Sequence, residues 1–488
     1  MANTALQLGI VGGYLLVALA IGLVAYRLTD NTAEDYYLAD RTLGTVVLLF
    51  TTFATLLSAF TFFGGPNVSY SAGPEWILVM GLMDGVLFAV LWYVLGYKQW
   101  LIGRAQGYVT LGEMLGDRFG SRGLRGIVAA VSLFWLFPYV MLQQQGAGVA
   151  LAGLTGGAIP YWVGAGTITL FMIVYVAISG MRGVAWTDTL QGLFMLVLIW
   201  GAAAWVLAVV GGPSAATRQL LSTDPGFLTL GGGLYTPQYV LSTAISIAFG
   251  VAMFPQINQR FFVARSKEVL QRTFALWPVL VLLLFVPAFM LGTWARGLDV
   301  SVPEGGNVVP ALLTAYTPGW FAALVIAGAM AAMMSSSDSM LLSGSSYFTR
   351  DLYRPFVDSE GHREDLLARV GVAVFATLSF VASLFRPGTL IEIGDTAFGG
   401  FAQLALPVLV ALYWSGTTRD GMFAGILGSQ AFYLASVFTP WVPSAYGGWS
   451  ASVVGMLLGL VLTIGVSALT APATDENRTA YSEGLRAD

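Results

Sequence analysis

A run of serines with one aspartate interrupts an otherwise apolar stretch, AGAMAAMMSSSDSMLLSGSS. Residues three and four positions apart share one face of a helix. The residues that would share a face are Ala332, Ser335, Ser336 and Ser339, and Asp338 lies one turn from Ser335. Hydroxyl and carbonyl oxygens suit a small hard cation, and a carboxylate within a membrane indicates an ion or substrate path. The run predicts a cation site, although close packing of small residues would explain the serines alone.

Two other apolar stretches contain residues that interrupt helices. Gly64-Gly65-Pro66 lies in one stretch, and Gly250 and Pro255 lie in the other. Proline lacks the amide hydrogen and clashes with the preceding turn, so we expect each helix to be interrupted there or just before. Paired broken helices in two halves of a chain indicate an inverted-repeat secondary transporter, whose freed carbonyls bind ions and substrate. A simple proline kink is the alternative at each position alone.

Four further acids lie in or near the apolar stretches. Asp188, in the sequence GMRGVAWTDTLQG, is either a helix-start acid favoured by the helix dipole or a pathway residue. Asp84, Glu392 and Asp395 are left without an assigned role. No motif of the form GxxxxGK[ST] is present to bind nucleotide phosphates.

The composition defines the kind of element that must carry these residues. Of 488 residues, 57% are hydrophobic and 10% are charged, against about 25% charged in soluble domains. This excludes a soluble globular enzyme. The net charge of −4 offers no cationic surface for nucleic acid, and the absence of cysteine excludes disulfides and thiolate metal sites.

Helices that cross a membrane need about 20 apolar residues, and thirteen stretches satisfy this length. They are 6–26, 46–72, 76–97, 124–153, 161–181, 187–210, 239–262, 274–294, 320–347, 370–384, 390–414, 422–438 and 451–469. Of the 22 Lys and Arg residues, 19 are assigned to one set of alternate loops and the C-terminal tail, and Arg260 is among these 19. The other three are Arg218, Arg296 and Arg386. The positive-inside rule therefore predicts an outside N-terminus and a cytoplasmic C-terminus.

Four motifs resemble those of the sodium/solute symporter family: DYYLADRTLG, GVAWTDTLQG, FPQINQRFFVARS and AAMMSSSDSMLL. The resemblance covers nearly the whole chain and looks nearest to the pantothenate and small-carboxylate branch. It implies an all-α polytopic membrane protein of LeuT-like fold, with a five-helix inverted repeat. The implied organisation is an extra N-terminal helix at 1–30, repeats at 46–211 and 237–414, C-terminal helices at 418–470 and a cytoplasmic tail at 471–488.

The resemblance also implies sodium as the coupling ion. The family's main sodium site maps onto the carbonyls of Ala54, Leu57 and Ala332 and the hydroxyls of Ser335 and Ser336. A second sodium site of some members maps onto Asp188, Ser335, Asp338 and Ser339. Asp338 stands where those members carry a hydroxyl residue. The alternatives for this second site are therefore a sodium ion and a proton shared between Asp188 and Asp338.

Substrate contacts in the family map onto Ser58, Thr61, Phe62, Gln144, Gln256 and Gln403. No Lys or Arg is expected within the membrane core around that cavity. The expected protein is a multi-pass symporter of the cell (cytoplasmic) membrane, not an enzyme, which imports a small polar solute with sodium by alternating access. The solute would be a carboxylate, such as pantothenate or a monocarboxylate, or an amino acid. An uncoupled or proton-coupled transporter, or a membrane sensor with a symporter-like domain, are the alternatives.

Overall fold

The computed structural model describes residues 2–27, 33–302 and 306–471, and these ranges are almost entirely helical. The helices are α1 (Ala2–Tyr26), α2 (Ala33–Leu38), α3 (Thr45–Leu56), α4 (Gly65–Ala72), α5 (Gly85–Leu91), α6 (Tyr97–Gln106), α7 (Leu111–Arg118), α8 (Arg122–Leu154), α9 (Tyr161–Val210), α10 (Pro213–Thr223), α11 (Pro237–Ala252), α12 (Pro255–Phe262), α13 (Lys267–Ala295), α14 (Val308–Tyr316), α15 (Gly319–Ser346), α16 (Arg354–Phe356), α17 (Glu364–Ser383), α18 (Leu390–Tyr413), α19 (Arg419–Phe438) and α20 (Ala451–Leu469).

Shorter elements join these helices. A 3-10 turn spans Ala39–Arg41, and π-helical segments span Phe60–Gly64, Ile77–Asp84, Trp92–Gly96 and Tyr347–Tyr353. Two antiparallel strands, β1 (Ala445–Tyr446) and β2 (Trp449–Ser450), form a small hairpin before α20. The expected C-terminal tail from residue 472 onward, like residues 28–30 of the expected N-terminal segment, lies outside the described residues.

Ten helices of the described chain are long and apolar enough to cross a membrane, and two bent pairs raise the number to at most twelve. α9 has 50 residues, a length of about 75 Å at 1.5 Å per residue, whereas the hydrocarbon core is about 30 Å thick. Gly180 breaks its helical geometry, with φ 56° and ψ −170°. A count of thirteen crossings would require the two segments of α9 to cross separately.

The first break lies before the Gly64-Gly65-Pro66 run. α3 ends at Leu56, Leu57 is extended, and the chain resumes at Phe60 at an angle of 62° to α3. The chain is helical through Gly64-Gly65-Pro66, so of the two expected places, at this run or just before it, the structure has the second. A Cβ atom on Gly65 would lie 2.2 Å from the ring of Phe289, which shows that this glycine permits close contact with α13.

The second break lies at the expected place. α11 and α12 meet at an angle of 55° around Met253 and Phe254, and Pro255 is the first residue of α12. Proline suits this position because its missing N–H would have no partner in the first turn. The amide of Asn258 donates to the carbonyls of Ala252, at 3.3 Å, and Phe254, at 2.8 Å, so a side chain takes over part of the interrupted backbone bonding.

α15 is the centre of the molecule. Every residue from Val325 to Ser346 is buried, and α15 contacts α1, α3, α8, α9, α12 and α17. Because α3 and α12 each belong to one of the broken pairs, the serine and aspartate run lies against both. The fold thus brings the three segments with the most polar sequence together in the interior.

Candidate cation and solute site

Side chains satisfy the backbone at the first break. The Ala59 N–H donates to Oε1 of Gln143 at 2.9 Å, and the Phe60 N–H donates to Oγ of Ser58 at 3.2 Å. In a continuous helix the Ala59 N–H would instead donate to the carbonyl of Thr55. That carbonyl is therefore released from helical bonding, as happens where a broken membrane helix lines a site.

α15 presents a hydroxyl to the released carbonyls. Oγ of Ser336 lies 2.8 Å from the carbonyl oxygens of both Thr55 and Leu57. One hydroxyl hydrogen serves two acceptors here, so three oxygen atoms converge with a single hydrogen between them. Ala54 adjoins Thr55, Ala332 precedes Ser336 by one turn, and both are fully buried. The structure thus brings Leu57 and Ser336 into contact and adds the Thr55 carbonyl, which the sequence analysis missed.

Asp188 of α9 accepts hydrogen bonds on both carboxylate oxygens. Oγ of Ser335 donates to Oδ1 at 2.5 Å. The hydroxyls of Thr51, at 2.5 Å, and Thr55, at 3.4 Å, donate to Oδ2. The acid is 1% exposed. Ser335 therefore joins the hydroxyl run of α15 to a buried carboxylate, and Thr51 and Thr55 of α3 complete its surroundings.

Arg260 of α12 is the counter-ion of Asp188. Its Nη2 lies 3.2 Å from Oδ2 of Asp188, and both side chains are 1% exposed. The same nitrogen donates to Oγ of Ser339 at 2.6 Å and to Oγ1 of Thr51 at 3.1 Å. Arg260 therefore lies in a buried helix and not in a loop, so its assignment to a loop is wrong, whereas the absence of Lys and Arg from the membrane core around the solute cavity stays a prediction. A buried guanidinium is tolerated here because a carboxylate and hydroxyls replace its hydration.

Asp338 does not join this cluster of hydrogen bonds. It is 2% exposed, and its Oδ1 has no hydrogen-bond partner among the described residues. Ser339, the next residue, instead accepts from Arg260.

Three of the expected solute contacts follow the first break. Ser58, Thr61 and Phe62 are all buried, and Oγ of Ser58 lies 3.2 Å from the phenol oxygen of Tyr139. From the second break, Gln256 is fully buried, and neither polar atom of its amide has a hydrogen-bond partner in the described chain. A buried amide without partners is costly, so both polar groups of Gln256 are available to bind a ligand.

Aromatic rings connect the two breaks. The ring centroid of Phe398 lies 5.2 Å from that of Phe60, 5.3 Å from Tyr139 and 5.5 Å from Phe254. Phe60 belongs to the first broken pair, and Phe254 lies in the second break. The four rings therefore form an apolar wall beside Ser58 and Gln256, the arrangement that small-molecule sites commonly have.

Gln144 and Gln403 point away from the breaks. The amide nitrogen of Gln144 donates to Oγ1 of Thr169 at 3.0 Å and to the carbonyl of Ala376 at 2.9 Å, in α9 and α17. That of Gln403 donates within α18 and to the carbonyl of Ser452, at 3.1 Å. Successive helical residues differ in direction by about 100°, and Gln143 is the glutamine of this triplet that reaches the first break.

The other three acids, Glu392, Asp395 and Asp84, have surroundings different from those of Asp188. Glu392 forms a capping box with Thr389 at the start of α18, which accounts for it structurally. Asp395 and Glu392 line a cavity of about 780 Å³ with hydroxyl residues of α11 and α19. Asp84 is 1% exposed, and neither of its oxygens has a hydrogen-bond partner among the described residues.

Ion pairs join α8 to the end of α15. Nε of Arg125 lies 2.8 Å from Oδ1 of Asp351, and its Nη2 lies 2.9 Å from Oε1 of Glu113. Oγ1 of Thr110 also donates to Oδ1 of Asp351, at 2.9 Å. The Asp351 side chain is fully buried and that of Arg125 is 19% exposed. These contacts hold α7, α8 and the π-helical segment after α15 together.

Comparison with known proteins identifies similar chains. The model of the "Sodium:solute symporter family" matches residues 36–428. The sodium/pantothenate symporter of Escherichia coli (strain K12) is 30% identical over 465 residues, covering 91% of this chain and 95% of that one. The high-affinity proline transporter PutP of Bacillus subtilis (strain 168) is 27% identical, covering 85% and 88%.

A solved structure shares the fold. It is the substrate-bound outward-open state of a Na+-coupled sialic acid symporter, which matches with a TM-score of 0.81 at 20% identity and covers 96% of this chain and 98% of that one. The expected all-helical, LeuT-like architecture is thereby confirmed.

Proposed function

The chain belongs to the sodium:solute symporter family, whose members are transporters and not enzymes, and we propose that it imports a small polar organic solute with sodium across the cell (cytoplasmic) membrane. The solute is a carboxylate, such as pantothenate or a monocarboxylate, or an amino acid. The identity of 30% to a sodium/pantothenate symporter supports the first class, and that of 27% to a proline transporter supports the second.

One observation carries the proposal: a serine hydroxyl of α15 lies 2.8 Å from two carbonyls at a helix break. A sodium ion between these groups would bind all three oxygens at once, with the hydroxyl hydrogen turned away from it. The proposed ligands are the carbonyls of Ala54, Leu57 and Ala332 and the hydroxyls of Ser335 and Ser336, together with the carbonyl of Thr55, which also contacts Ser336. Bound there, the ion would fasten α15 to α3 and so connect ion binding to the position of the first broken pair.

The solute is proposed to bind between the two breaks. Ser58, Thr61 and Phe62 come from the first broken pair and Gln256 comes from the second. The unpartnered amide of Gln256 offers both a donor and an acceptor, which suits a carboxylate, hydroxyl or amide of a polar solute. A solute bound there would contact both broken pairs, so its binding would affect both halves of the molecule. Gln144 and Gln403 are not proposed as contacts because their amides bond elsewhere.

The proposed topology has thirteen crossings, an outside N-terminus and a cytoplasmic C-terminus. The two segments of α9 then cross separately, and residues 46–211 and 237–414 form inverted repeats after an N-terminal helix. The positions of the broken pairs support this, since α3 opens the first repeat and α11 opens the second. Alternating access would follow from movement of one set of helices past the other around the breaks.

Uptake into proteoliposomes tests the function. The purified protein would be given radiolabelled pantothenate, monocarboxylates and amino acids, with an inward gradient of sodium, of potassium or of protons. We expect one solute class to accumulate with the sodium gradient alone. Accumulation driven by a proton gradient in sodium-free buffer, or equilibration that no ion gradient alters, would contradict sodium coupling. Binding of a solute without uptake would favour the sensor.

A further inference from the structure

A cavity of about 670 Å³ lies beside the ion pairs that join α8 to the end of α15. Its wall is formed by α7, the start of α8 and α16, and none of the residues of the two helix breaks lines it. On the proposed topology the cavity faces the cytoplasm. Its charged lining consists of four arginines and two acids, namely Arg118, Arg122, Arg125, Arg354, Glu113 and Asp117.

Ion pairs neutralise some of the arginines in and beside the cavity. One network contains three bases and three acids, namely Arg125, Arg350, Arg354, Glu113, Asp351 and Glu364. Outside this network, the cavity wall has two arginines, Arg118 and Arg122, and one acid, Asp117. Two positive charges against one negative charge leave one positive charge in excess. A cavity with such an excess attracts anions.

Several guanidinium nitrogens in the wall have no acceptor. Arg122 makes no hydrogen bond or ion pair with any described residue. Arg354 makes no hydrogen bond within the described chain, and its ion pair with Glu364 is long, at 3.7 Å. Arg125 bonds through Nε and Nη2, which leaves its Nη1 without a partner in the part of the chain that the structure describes. Because a guanidinium can only donate, these three side chains offer donors to a group that accepts.

The start of α8 favours the same kind of ligand. α8 has 33 residues and begins at Arg122. Oγ of Ser121 accepts from the Leu124 N–H at 3.2 Å, which satisfies one of the first N–H groups of the helix. The others, together with the positive end of the helix dipole, stabilise an anion and disfavour a cation. An anion beside Arg122 would therefore offset the unfavourable position of this arginine.

We propose that this cavity binds a phosphate group, carried either by the headgroup of an anionic lipid or by a soluble phosphate compound. Guanidinium groups match phosphate oxygens in pairs, and the several acceptor oxygens of a phosphate suit arginines that come from separate elements. Basic pockets on the cytoplasmic side of membrane helices are known to bind lipid headgroups. Since Arg122 belongs to α8 and Arg354 to α16, a bound phosphate would join the start of α8 to the segment that follows α15.

The experiment measures binding to the purified full chain in neutral detergent, after its lipids have been removed. The temperature of half-unfolding is followed by tryptophan fluorescence at constant sodium concentration and ionic strength. Inorganic phosphate is compared with chloride, and phosphatidylglycerol in mixed micelles is compared with phosphatidylcholine, whose choline neutralises its phosphate. We expect at least one of the two anionic probes to raise the unfolding temperature of the wild type by several degrees and to reach saturation.

One variant and a matched control show whether the cavity is responsible. Arg122→Gln should raise the half-saturating concentration of the probe by about tenfold, because a charged donor is lost. Without either probe it should unfold like the wild type, since Arg122 has no partner to lose. Arg419 is likewise the exposed first residue of a helix, α19, but it pairs with Asp420 at 3.0 Å and does not line the cavity. Arg419→Gln should therefore respond to both probes as the wild type does.

The two probes distinguish the sources of the phosphate. Stabilisation by phosphatidylglycerol alone supports a lipid headgroup, stabilisation by inorganic phosphate alone supports a soluble ligand, and stabilisation by both shows that the phosphate itself is recognised. If neither probe stabilises the wild type, or if Arg122→Gln responds as the wild type does, the inference is wrong. No solute is present and sodium is constant, so this result is independent of whether transport is coupled to sodium.

Discussion

The hydroxyl oxygen of Ser336 lies 2.8 Å from the carbonyl oxygen of Leu57, across the contact between the most enclosed helix and the first break. If α3 continued as a helix, the Leu57 carbonyl would accept a backbone N–H and would not be available to the Ser336 hydroxyl. The pairing therefore depends on the break.

Replacement of Ser336 by alanine should weaken sodium binding. The change removes one ligand oxygen without adding bulk, and the loss of one such bond costs about 1 kcal/mol. The sodium concentration for half-maximal uptake should rise by about fivefold to tenfold. Ser337→Ala is the matched control, since Oγ of Ser337 donates to the carbonyl of Met333 in the same helix. Equal sodium dependence of the two variants would contradict the proposed ligand.

Gln143→Met should damage the first break. Its side chain accepts from the Ala59 N–H, and a buried N–H left without an acceptor costs about 1–3 kcal/mol. The backbone should shift to find another partner, and half-maximal uptake should require several times more sodium. Gln145→Met removes a bond to the carbonyl of Gly388 instead, far along the chain from the break, and should keep the wild-type sodium dependence. If Gln143→Met also keeps the wild-type sodium dependence, Gln143 does not hold the first break in the shape that sodium binding needs.

Asp338→Asn should act through charge alone. Oδ1 of Asp338 has no hydrogen-bond partner among the described residues, so the substitution removes the acidic group without breaking a bond at that atom. The variant should need several-fold more sodium for half-maximal uptake, and its Hill coefficient shows whether Asp338 holds an ion of its own. Uptake measured across sodium concentrations decides the matter. A fall of the Hill coefficient from two to one would show that Asp338 holds its own ion, and unchanged sodium dependence would show a packing role.

Arg125→Gln should destabilise the connection between α8 and the end of α15. It leaves the fully buried Asp351 carboxylate without its cation. Loss of one partner of a buried pair costs about 3–5 kcal/mol, and the partial exposure of Arg125 reduces this to about 2 kcal/mol. The temperature of half-unfolding in detergent should fall by several degrees. Arg122→Gln, at an exposed position one turn earlier, provides the control and should unfold at the wild-type temperature.

The architecture could be predicted from the sequence because the length of an apolar stretch and the effect of proline on a helix are local properties of the chain. Pro255 lacks the N–H that a continuing helix would need and suits the first turn of α12, so the second break was predictable. The first break has no such marker: it depends on Gln143 and Ser336, which lie far away in sequence and replace the missing helical bonds. Gly64 and Gly65 lie after the break and permit close packing against Ile391 and Phe289, so they indicate its position only approximately.

The position of Arg260 could not be read from charge counting. The positive-inside rule treats every arginine near the end of a span as a loop residue, and Arg260 lies near the end of the span at 239–262. The buried acid in the WTD sequence was the available signal, since an intramembrane carboxylate commonly has a charged partner. Only the fold shows that α12 brings Arg260, and not a residue of a neighbouring helix, to Asp188.

A single sodium ion bound at the break beside Ser336 would limit how far a solute can be concentrated. With a tenfold sodium gradient and a potential of 100 mV, one sodium ion supplies about 1.4 plus 2.3 kcal/mol. This allows an uncharged solute to accumulate by about 500-fold, and a second ion would square that ratio. For a solute with one negative charge, the inward charge movement cancels and only about a tenfold ratio remains. A symporter that binds one sodium ion at such a break would thus suit solutes that the cell consumes quickly, and it would use half the sodium of a symporter that binds two.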